Sequence, residues 1–210
     1  MDVDYVKFSS RFHRCRYAAE TFGRFLRGRV LDVGCDNAFL KQLLPDSSHV
    51  GVDIAGNPDI VLNLERITHL PFADETFDCV VCLDVLEHLD NLHPVFGELV
   101  RATKRYIVVS LPNNWANARG PLGRGTGKIG HYGLPADAPQ DRHKWFFSLS
   151  EARDFIDGQQ ERHAITTVAV RATEKPRPLL VRGLRRLRYR RKEQYLNRYA
   201  HTLWAVLEKH

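Results

Sequence analysis

The stretch that decides the fold reads Val30-Leu31-Asp32-Val33-Gly34-Cys35-Asp36-Asn37-Ala38-Phe39. An apolar strand runs into a turn at Gly34, and a helix opens after the turn. A second apolar strand, at residues 50–54, carries Asp53 close to its end, about 20 residues beyond the glycine. Nucleotide-type folds place at this spacing the carboxylate that binds a ribose. The stretch therefore predicts both a nucleotide-type fold and a ribose-bearing ligand.

Apolar runs and helical periodicity alternate along the rest of the chain. We expect strands at residues 30–33, 50–54, 59–64, 79–83, 106–111, 164–170 and 202–207. We expect helices at residues 8–26, 39–44 and 92–103, and a further helix that opens at the capping-box pattern of Ser148 and Glu151. Strands that alternate with helices at this spacing form βαβ units, so an α/β fold with a parallel sheet is predicted.

Length and composition describe an ordinary globular chain. The 210 residues are 43% hydrophobic and 27% charged, which fits one domain with a substantial core. The sequence has no apolar run of about 18 residues, and residues 1–4 lack the pattern of a signal peptide. A cytoplasmic protein without a transmembrane segment is therefore expected.

The four cysteines do not suggest a disulfide scaffold. Cys79 and Cys82 form a C-x-x-C pair, which could bind a metal ion or act in redox chemistry. The pair lies in an apolar run that is typical of a buried strand, where residues three apart face opposite sides. Core packing is therefore the better interpretation of both thiols.

The net charge of +6 is placed very unevenly along the chain. The segment 175–192 holds nine basic residues and no acidic one, so the remainder of the chain carries a net charge of −3. Leucines interrupt the charges, which predicts a helical insertion at residues 175–196 with apolar contacts and a cationic surface. Such a helix suits an anionic lipid surface, a phosphorylated lipid-linked substrate or a nucleic acid. A solvated helix that closes the substrate side is the open alternative.

Four features occur in a characteristic order. They are the turn at Gly34, the acid at Asp53, the phrase Leu-Pro-Phe-Ala-Asp-Glu-Thr-Phe-Asp at residues 70–78 and the phrase Leu-Asp-Val-Leu-Glu-His-Leu at residues 83–89. Together they resemble the class I S-adenosylmethionine-dependent methyltransferases of the type 11-like family, from about residue 29 to residue 113. The resemblance implies a Rossmann-like three-layer α/β/α sandwich with a mostly parallel, seven-stranded sheet. It also implies a single domain, residues 1–210, in which residues 1–28 form an N-terminal helix.

The resemblance implies S-adenosyl-L-methionine as the cofactor and gives roles to residues at the strand ends. Asp53 would take both ribose hydroxyls in charge-assisted hydrogen bonds, and Gly34 would let the backbone approach the ligand. Asp32 would fix the methionine ammonium or the loop, and Asn63 and Leu64 match positions that meet the adenine. The remaining cofactor-binding candidates lie in the turn and at strand ends: Cys35, Ile54, Leu83 and Asp84.

The glycine turn departs from the family pattern. A G-x-G-x-G turn would place glycines at positions 34, 36 and 38, where this chain has Gly34, Asp36 and Ala38. Aspartate tolerates left-handed backbone better than most residues, and this ligand has no pyrophosphate that would need bare backbone. A non-catalytic binding protein on a methyltransferase fold therefore stays open beside an active enzyme.

Two histidines are candidates for the catalytic base. His131 and His143 follow or lie within the Gly- and Pro-rich segment 112–147, which is too long to be simple filler and which we interpret as a substrate or lid loop. A histidine in a loop over the active face can accept a proton near neutral pH. His143 is slightly favoured over His131, and a solvated or capping histidine is the alternative for either.

A metal site is a further candidate. Asp84, Glu87 and His88 have a D-x-x-E-H spacing, which resembles the E-x-x-E-H metal site of ubiquinone-pathway and small-RNA O-methyltransferases. The phrase Val-Leu-Glu-His-Leu also occurs in many metal-free relatives, so we expect no metal.

The leading functional hypothesis is methyl transfer to an oxygen of a small-molecule, glycan or lipid-linked acceptor. An RNA 2′-O-methyltransferase is a rival, prompted by the D-x-x-E-H spacing and the basic segment, and it predicts chelator-sensitive activity and steeply salt-dependent RNA binding. Nucleic acid ranks lower as a partner because the sequence shows no aromatic RNA-binding motif.

Overall fold

The computed structural model describes residues 1–137, 139 and 141–210. Eight strands alternate with seven helices in this part of the chain. The strands are β1 (Asp2–Tyr5), β2 (Arg29–Val33), β3 (Ser48–Asp53), β4 (Ile60–Val61), β5 (Phe77–Leu83), β6 (Thr103–Pro112), β7 (Ile165–Glu174) and β8 (Ala200–Lys209). The helices are α1 (Arg11–Phe22), α2 (Phe39–Leu43), α3 (Leu92–Ala102), α4 (Asn114–Gly123), α5 (Leu149–Arg162), α6 (Leu179–Arg188) and α7 (Lys192–Tyr199).

All eight strands form one sheet in the order β1-β7-β8-β6-β5-β2-β3-β4. Every neighbouring pair is parallel except the two pairs that β8 makes, with β6 and with β7. Strands β2, β3, β5, β6 and β7 therefore end at one side of the sheet, which we call the carboxyl edge. The expectation of a mostly parallel sheet is confirmed, but the expected seven strands are eight, because β1 pairs with β7 at the far edge.

Helices cover both faces of the sheet, which confirms the three-layer α/β/α sandwich. On one face α1 and α2 pack through Ala18, Phe22 and Leu40 onto the β2–β5–β6–β8 surface around Trp204. On the other face α3, α5 and α7 form the larger part of the core, which includes Phe96. Apolar residues alternate between these two clusters along each central strand, as a sheet buried on both sides requires.

The two cysteines of β5 illustrate this alternation. Cys79 belongs to the α1 side of the core and Cys82 to the α3 side, and both thiols are fully buried. Burial raises the pKa of both thiols, so they are protonated and inert at neutral pH. Core packing, the interpretation made from the sequence, fits this placement.

Two segments differ from the expectations made for them. The segment 112–147 is not a continuous loop, since α4 occupies its first third and a short 3₁₀ turn spans Gly130–Tyr132. The side chain of Asn113 caps α4 by accepting the N–H of Ala116 at 3.1 Å, which offsets the Gly and Pro residues inside the helix. The segment 175–196 forms two helices, α6 and α7, rather than one.

The helix α5 begins as its sequence predicts. Ser148 accepts the N–H of Glu151 through its hydroxyl, and Glu151 accepts the N–H of Ser148 at 2.7 Å. This reciprocal pair is a capping box. Among the described residues, no helix has the length and apolar character needed to cross a bilayer.

Candidate functional site

The turn after β2 adopts left-handed backbone at each position where the family pattern has glycine. The φ angles are +81° at Gly34, +48° at Asp36 and +54° at Ala38. A Cβ atom at Gly34 would lie 2.2 Å from Cγ2 of Val85, so only glycine fits between the turn and the residues after β5. The chain therefore keeps the geometry of a three-glycine turn with one glycine, and Asp36 and Ala38 bear the strain.

Hydrogen bonds to the Asp53 carboxylate connect this turn to the end of β3. Its Oδ2 accepts the N–H of Asp36 at 2.8 Å, and its Oδ1 accepts the N–H groups of Ile54 at 2.6 Å and Ala55 at 3.3 Å. A carboxylate has about four lone-pair positions, so one remains for a hydroxyl donor at the outer side. Ile54, which is 61% exposed, presents an apolar surface beside the carboxylate.

Asp32 lies beneath the turn, in the interior of the carboxyl edge. Burial, and after it the charge of Asp53, raises the pKa of Asp32 to about 7. The imidazole of His49 lies 3.8 Å away, but burial lowers the pKa of His49 to about 4, so this imidazole is neutral and the contact is not an ion pair at pH 7. A cation that enters here would favour the ionised form of Asp32.

Helix α1 lies across the carboxyl edge through two ion pairs that sequence reasoning missed. Arg11 lies 3.1 Å from Asp36, and Arg14 lies 3.0 Å from Asp84. Asp84, at the end of β5, has left-handed backbone and also accepts the hydroxyl of Ser110. The apolar periodicity of α1 predicts which face of the helix is buried. No pattern on its polar face indicates that Arg11 and Arg14 pair with Asp36 and Asp84.

The other cofactor-binding candidates have mixed positions. The strand β4 ends at Val61, before Asn63, whose side chain accepts the N–H of Glu65 at 3.0 Å. Leu64 and Cys35 are buried, with Leu64 in the core and the Cys35 thiol packed against Gly51. Leu83 is half-buried at the end of β5, immediately before Asp84. Ile54 is therefore the most accessible apolar candidate at the edge.

Three histidines from two distant parts of the chain meet above the end of β5. The ring of His143 stacks on His131 at 4.6 Å between centroids and meets the ring of His88 edge-on at 4.5 Å. The Tyr132 hydroxyl lies 3.1 Å from Nδ1 of His143. The structure thus brings the catalytic candidates His131 and His143 together with the metal candidate His88, which the sequence analysis treated separately.

The loop that carries His143 is fastened to the segment after β5. The N–H of Lys144 donates to the carbonyl of Glu87 at 2.8 Å, and the indole N–H of Trp145 donates to the carbonyl of Leu89 at 2.7 Å. The Lys144 ammonium also pairs with Asp90 at 2.7 Å. These bonds fix the register between the loop and the 3₁₀ turn Leu86–His88, and a single sequence gives no signal for them.

Hydrogen bonds set the protonation pattern of the cluster. Nδ1 of His88 lies 3.1 Å from the carbonyl of Arg142, and Nδ1 of His131 lies 3.2 Å from the carbonyl of Asp141. A carbonyl only accepts, so both Nδ1 atoms carry protons, and Nε2 of the neutral His88 ring holds a lone pair. Burial lowers the pKa of His88, and burial followed by the neighbouring imidazoles lowers that of His143 to about 4.

Glu87 lies at the base of the histidines. Its side chain is buried, and burial followed by the charge of Asp84 raises its pKa well above the usual value. Its Oε2 atom has no hydrogen-bond partner among the described residues. Glu87, His88 and His143 each offer a ligand atom within 4.8 Å of the others, and so do His131, Asp141 and His143. The third predicted metal candidate, Asp84, is instead taken up by Arg14 and Ser110.

Comparison with known proteins identifies the architecture. A methyltransferase from Archaeoglobus fulgidus, described as dependent on S-adenosylmethionine, superimposes with a TM-score of 0.62 at 16% identity, over 95% of this chain and 94% of that chain. The small RNA methyltransferase HEN1 superimposes with a TM-score of 0.58 at 18% identity, over 100% of this chain and 26% of that chain. At these identities the likeness shows the fold.

Sequence comparison adds two findings. The uncharacterized protein MJ0638 of Methanocaldococcus jannaschii is 39% identical over 69 residues, which are 30% of this chain and 31% of that protein. The match thus spans only about a third of that relative. Residues 31–106 match the family model of the methyltransferase domain. This match covers about a third of the chain, and the chain as a whole has the fold of S-adenosylmethionine-dependent methyltransferases.

The residues of the carboxyl edge fit S-adenosylmethionine, the cofactor of the methyltransferases whose fold the chain shares. The cofactor carries positive charge on its sulfonium and on its ammonium group. Carboxylates of Asp32, Asp53 and Asp84 converge where β2, β3 and β5 end, and the two arginines of α1 already pair with acids there. An edge rich in acids favours a cationic ligand over a dinucleotide, whose pyrophosphate it would repel.

Proposed function

We propose that this methyltransferase transfers a methyl group from S-adenosylmethionine to a hydroxyl oxygen of a small-molecule, glycan or lipid-linked acceptor. The observation that carries the proposal is the carboxyl edge itself. A glycine-type turn anchored by Asp53 lies beside neutral imidazoles that have lone pairs available for a hydroxyl proton. Residues 112–147 cover the acceptor side in this proposal, with α4 as part of the cover.

The residues at the edge divide the work of holding the cofactor. Asp53 would accept one ribose hydroxyl at its free position while it keeps its backbone bonds to the turn, and Ile54 would pack on the adenine. Asp32 would bind the methionine ammonium, since a cation there lowers the cost of ionising a buried carboxyl group. S-adenosylmethionine supplies the activated methyl group on its sulfonium.

His143 would take the proton from the acceptor hydroxyl. The ring is neutral at pH 7, and when its Nδ1–H donates to the Tyr132 oxygen its Nε2 is the basic atom. The stack on His131 and the edge contact with His88 hold the plane of the ring. The protein's contribution is therefore chiefly position, which suits an in-line displacement.

Calorimetric titration with S-adenosylmethionine tests the cofactor part of the proposal. The full chain should bind, and Asp53→Asn should weaken binding by at least about tenfold, since a charge-assisted hydrogen bond to a ribose hydroxyl is lost. Asp46→Asn, an exposed carboxylate in the turn before β3, is the matched control and should bind as the unaltered chain does. Equal affinity of the Asp53→Asn protein, or no binding by the unaltered chain, would overturn the assignment.

A transfer assay with labelled cofactor and a cell extract tests the reaction. Labelled product excludes the non-catalytic alternative, and His143→Gln should then lower kcat by about a hundredfold or more with cofactor affinity unchanged. His131→Gln should lower it much less, because His131 is more exposed and acts only by stacking. Equal rates for His143→Gln and the unaltered chain would assign the base to another residue.

Metal-assisted transfer to an RNA 2′-hydroxyl is the second candidate. The buried Glu87 and the Nε2 lone pairs of His88 and His143 would supply ligands for a divalent transition metal, with the Nδ1 of His88 held by a carbonyl. Titration with Zn²⁺ and Mn²⁺ is the test. Binding that His88→Gln abolishes, together with loss of transfer to RNA on chelation, would favour this candidate over the first.

A further inference from the structure

The helix α6 presents its apolar side to solvent rather than to the protein. The exposed fractions are 76% for Leu180, 60% for Leu184 and 69% for Leu187, which follow one another at i, i+4 and i+7 on one side of the helix. Leu179 at the start of the helix is 77% exposed. Every side chain of α6 lies within the described residues, and none is buried. The apolar contacts expected of the segment 175–196 are therefore made by Tyr195 and Leu196 of α7 and not by these leucines.

The inner side of α6 is built from arginines that lie on aromatic rings. The guanidinium of Arg182 is 3.6 Å from the ring centroid of Tyr5, and that of Arg185 is 4.2 Å from the centroid of Tyr199. Arg185 also pairs with the buried carboxylate of Glu174 at 3.2 Å. These contacts hold the helix on the protein body with its leucines facing outward. With ten residues, the helix that carries the apolar stripe is about 15 Å long.

A basic pocket, which we call the arginine pocket, adjoins the helix. It lies at the carboxyl edge, where β6 and β7 end. Five basic side chains from four parts of the chain line it: Arg119 of α4, Lys175 and Arg177 of the link between β7 and α6, Arg185 of α6 and Arg198 of α7. Glu174 is the carboxylate among the residues that line it. The Nε atoms of Arg119 and Arg198 are buried and have no hydrogen-bond partner among the described residues. An anion in the pocket would supply the missing acceptors.

We propose that residues 175–192 dock this protein on an anionic phospholipid bilayer, with the α6 leucines inserted among the lipids and a lipid phosphate bound in the arginine pocket. A bilayer surface is a partner that offers negative charge outside and hydrocarbon immediately beneath it. The segment offers the complement, nine basic residues without an acid and an exposed apolar stripe. The docking is independent of methyl transfer.

Two other occupants fit these observations less well. A second copy of the chain would bring two strongly cationic helices together, and their mutual repulsion opposes the contact. A nucleic acid would use the basic residues after the helix, such as Arg190 and Arg191, but it would leave the leucine stripe exposed to water. The bilayer covers both features at once.

Co-sedimentation of the full chain with vesicles tests the proposal. Vesicles of phosphatidylcholine with roughly one-third phosphatidylglycerol should bind the chain at least about tenfold more tightly than phosphatidylcholine alone, and added salt should weaken the binding. Leu184→Ser with Leu187→Ser should weaken it about tenfold or more, without effect on folding because both side chains are exposed. Leu134→Ser, at a leucine outside the segment that is 99% exposed, is the control and should bind normally.

A second pair of variants tests the pocket. Lys175→Gln with Arg177→Gln should weaken binding to the anionic vesicles by about tenfold, whereas Arg24→Gln with Arg27→Gln, which removes the same charge before β2, should not. Inorganic phosphate should compete only weakly, because it cannot contact the leucines.

Several outcomes would overturn the proposal: equal binding to neutral and anionic vesicles, leucine variants that bind like the unaltered chain, or a self-association that the leucine variants abolish. Tight binding of inorganic phosphate alone would assign the pocket to a soluble ligand.

Discussion

Replacement of Ala38 by glycine isolates the strain stored in the turn after β2. Ala38 is a buried residue at the N-cap of α2, with φ +54° and ψ +37°. Glycine adopts this backbone without steric cost, whereas an L-residue pays about 1–2 kcal/mol for it. The substitution therefore removes a defined strain and leaves the path of the chain unchanged.

Three contributions set the expected free-energy change for Ala38→Gly. Relief of strain stabilises the native state by about 1.5 kcal/mol, and the greater freedom of glycine in the unfolded chain costs about 0.5–1 kcal/mol. Loss of one buried methyl group costs up to about 0.8 kcal/mol. These contributions nearly cancel, so the free energy of unfolding should change by less than about 0.5 kcal/mol.

Ala18→Gly is the matched control, because Ala18 is also buried but lies in the middle of α1. Without strain to relieve, that substitution should cost about 1.5 kcal/mol, and for a chain of this size it should lower the melting temperature by about 3–6 °C. Urea unfolding of both variants measures the difference. If Ala38→Gly loses as much stability as Ala18→Gly, the backbone at Ala38 stores no strain energy and the prediction is refuted.

Three further predictions concern charge and hydrogen bonding. Cofactor binding at pH 7 should release up to about half a proton, because the pKa of Asp32, about 7 in the free protein, should fall beside a bound cation. Calorimetry in buffers of different ionisation heat should detect this release, and Asp32→Asn should abolish it. Burial alone would raise the pKa of Glu98, but hydrogen bonds, those from Arg101 foremost, outweigh it and lower the pKa to about 2. The stabilising contribution of the Glu98 carboxylate is therefore complete above pH 4.5 and lost as pH falls towards 2. The difference in free energy of unfolding between the unaltered chain and Glu98→Gln should accordingly be smaller at pH 3 than at pH 5. Asn113→Ala should lower the free energy of unfolding by about 2–4 kcal/mol, measured by urea unfolding, because the buried amide bonds three carbonyls between α7 and β8 and caps α4.

The central strands could be predicted because their signal is local. β2, β3, β5 and β6 are apolar runs that must be buried on both faces, and each was placed within a few residues of its bounds. The strand β1 was missed because four residues, two of them aspartates, have no strand signal of their own. It exists because β7, far along the chain, offers a free edge to pair with.

The helices α4 and α6 show two different limits of sequence reasoning. The interior of α4 contains Gly120 and Pro121, so local propensity argues against a helix there, and the cap at Asn113 with its contacts to α7 overrides it. For α6 the periodicity was evident, but periodicity defines an apolar stripe without saying whether the stripe faces the protein. The tyrosines that hold the arginines inward decide this, and they lie in other elements.

The cofactor side of the site was more accessible from the sequence than the acceptor side. Asp53 and Gly34 belong to one continuous βαβ unit, so their separation along the chain fixes their proximity in space. His88 and His143 are brought together only by the docking of the loop on the residues after β5, through bonds such as that from Lys144 to Glu87. No spacing in the sequence encodes that docking.

The sheet order separates opposite charges along one edge, and this bears on the acceptor. The carboxylates Asp32 and Asp53 lie at the ends of β2 and β3 and Asp84 follows β5, while the arginine pocket lies where β6 and β7 end, on the two sides of β8. At about 4.8 Å per strand, β2 and β7 are roughly 20 Å apart. A bilayer that contacts α6 would therefore lie at the same edge of the sheet as the histidine cluster, on its β7 side. Among the proposed acceptors, a hydroxyl on a lipid-linked molecule gains most from this arrangement, because docking raises its local concentration at the site.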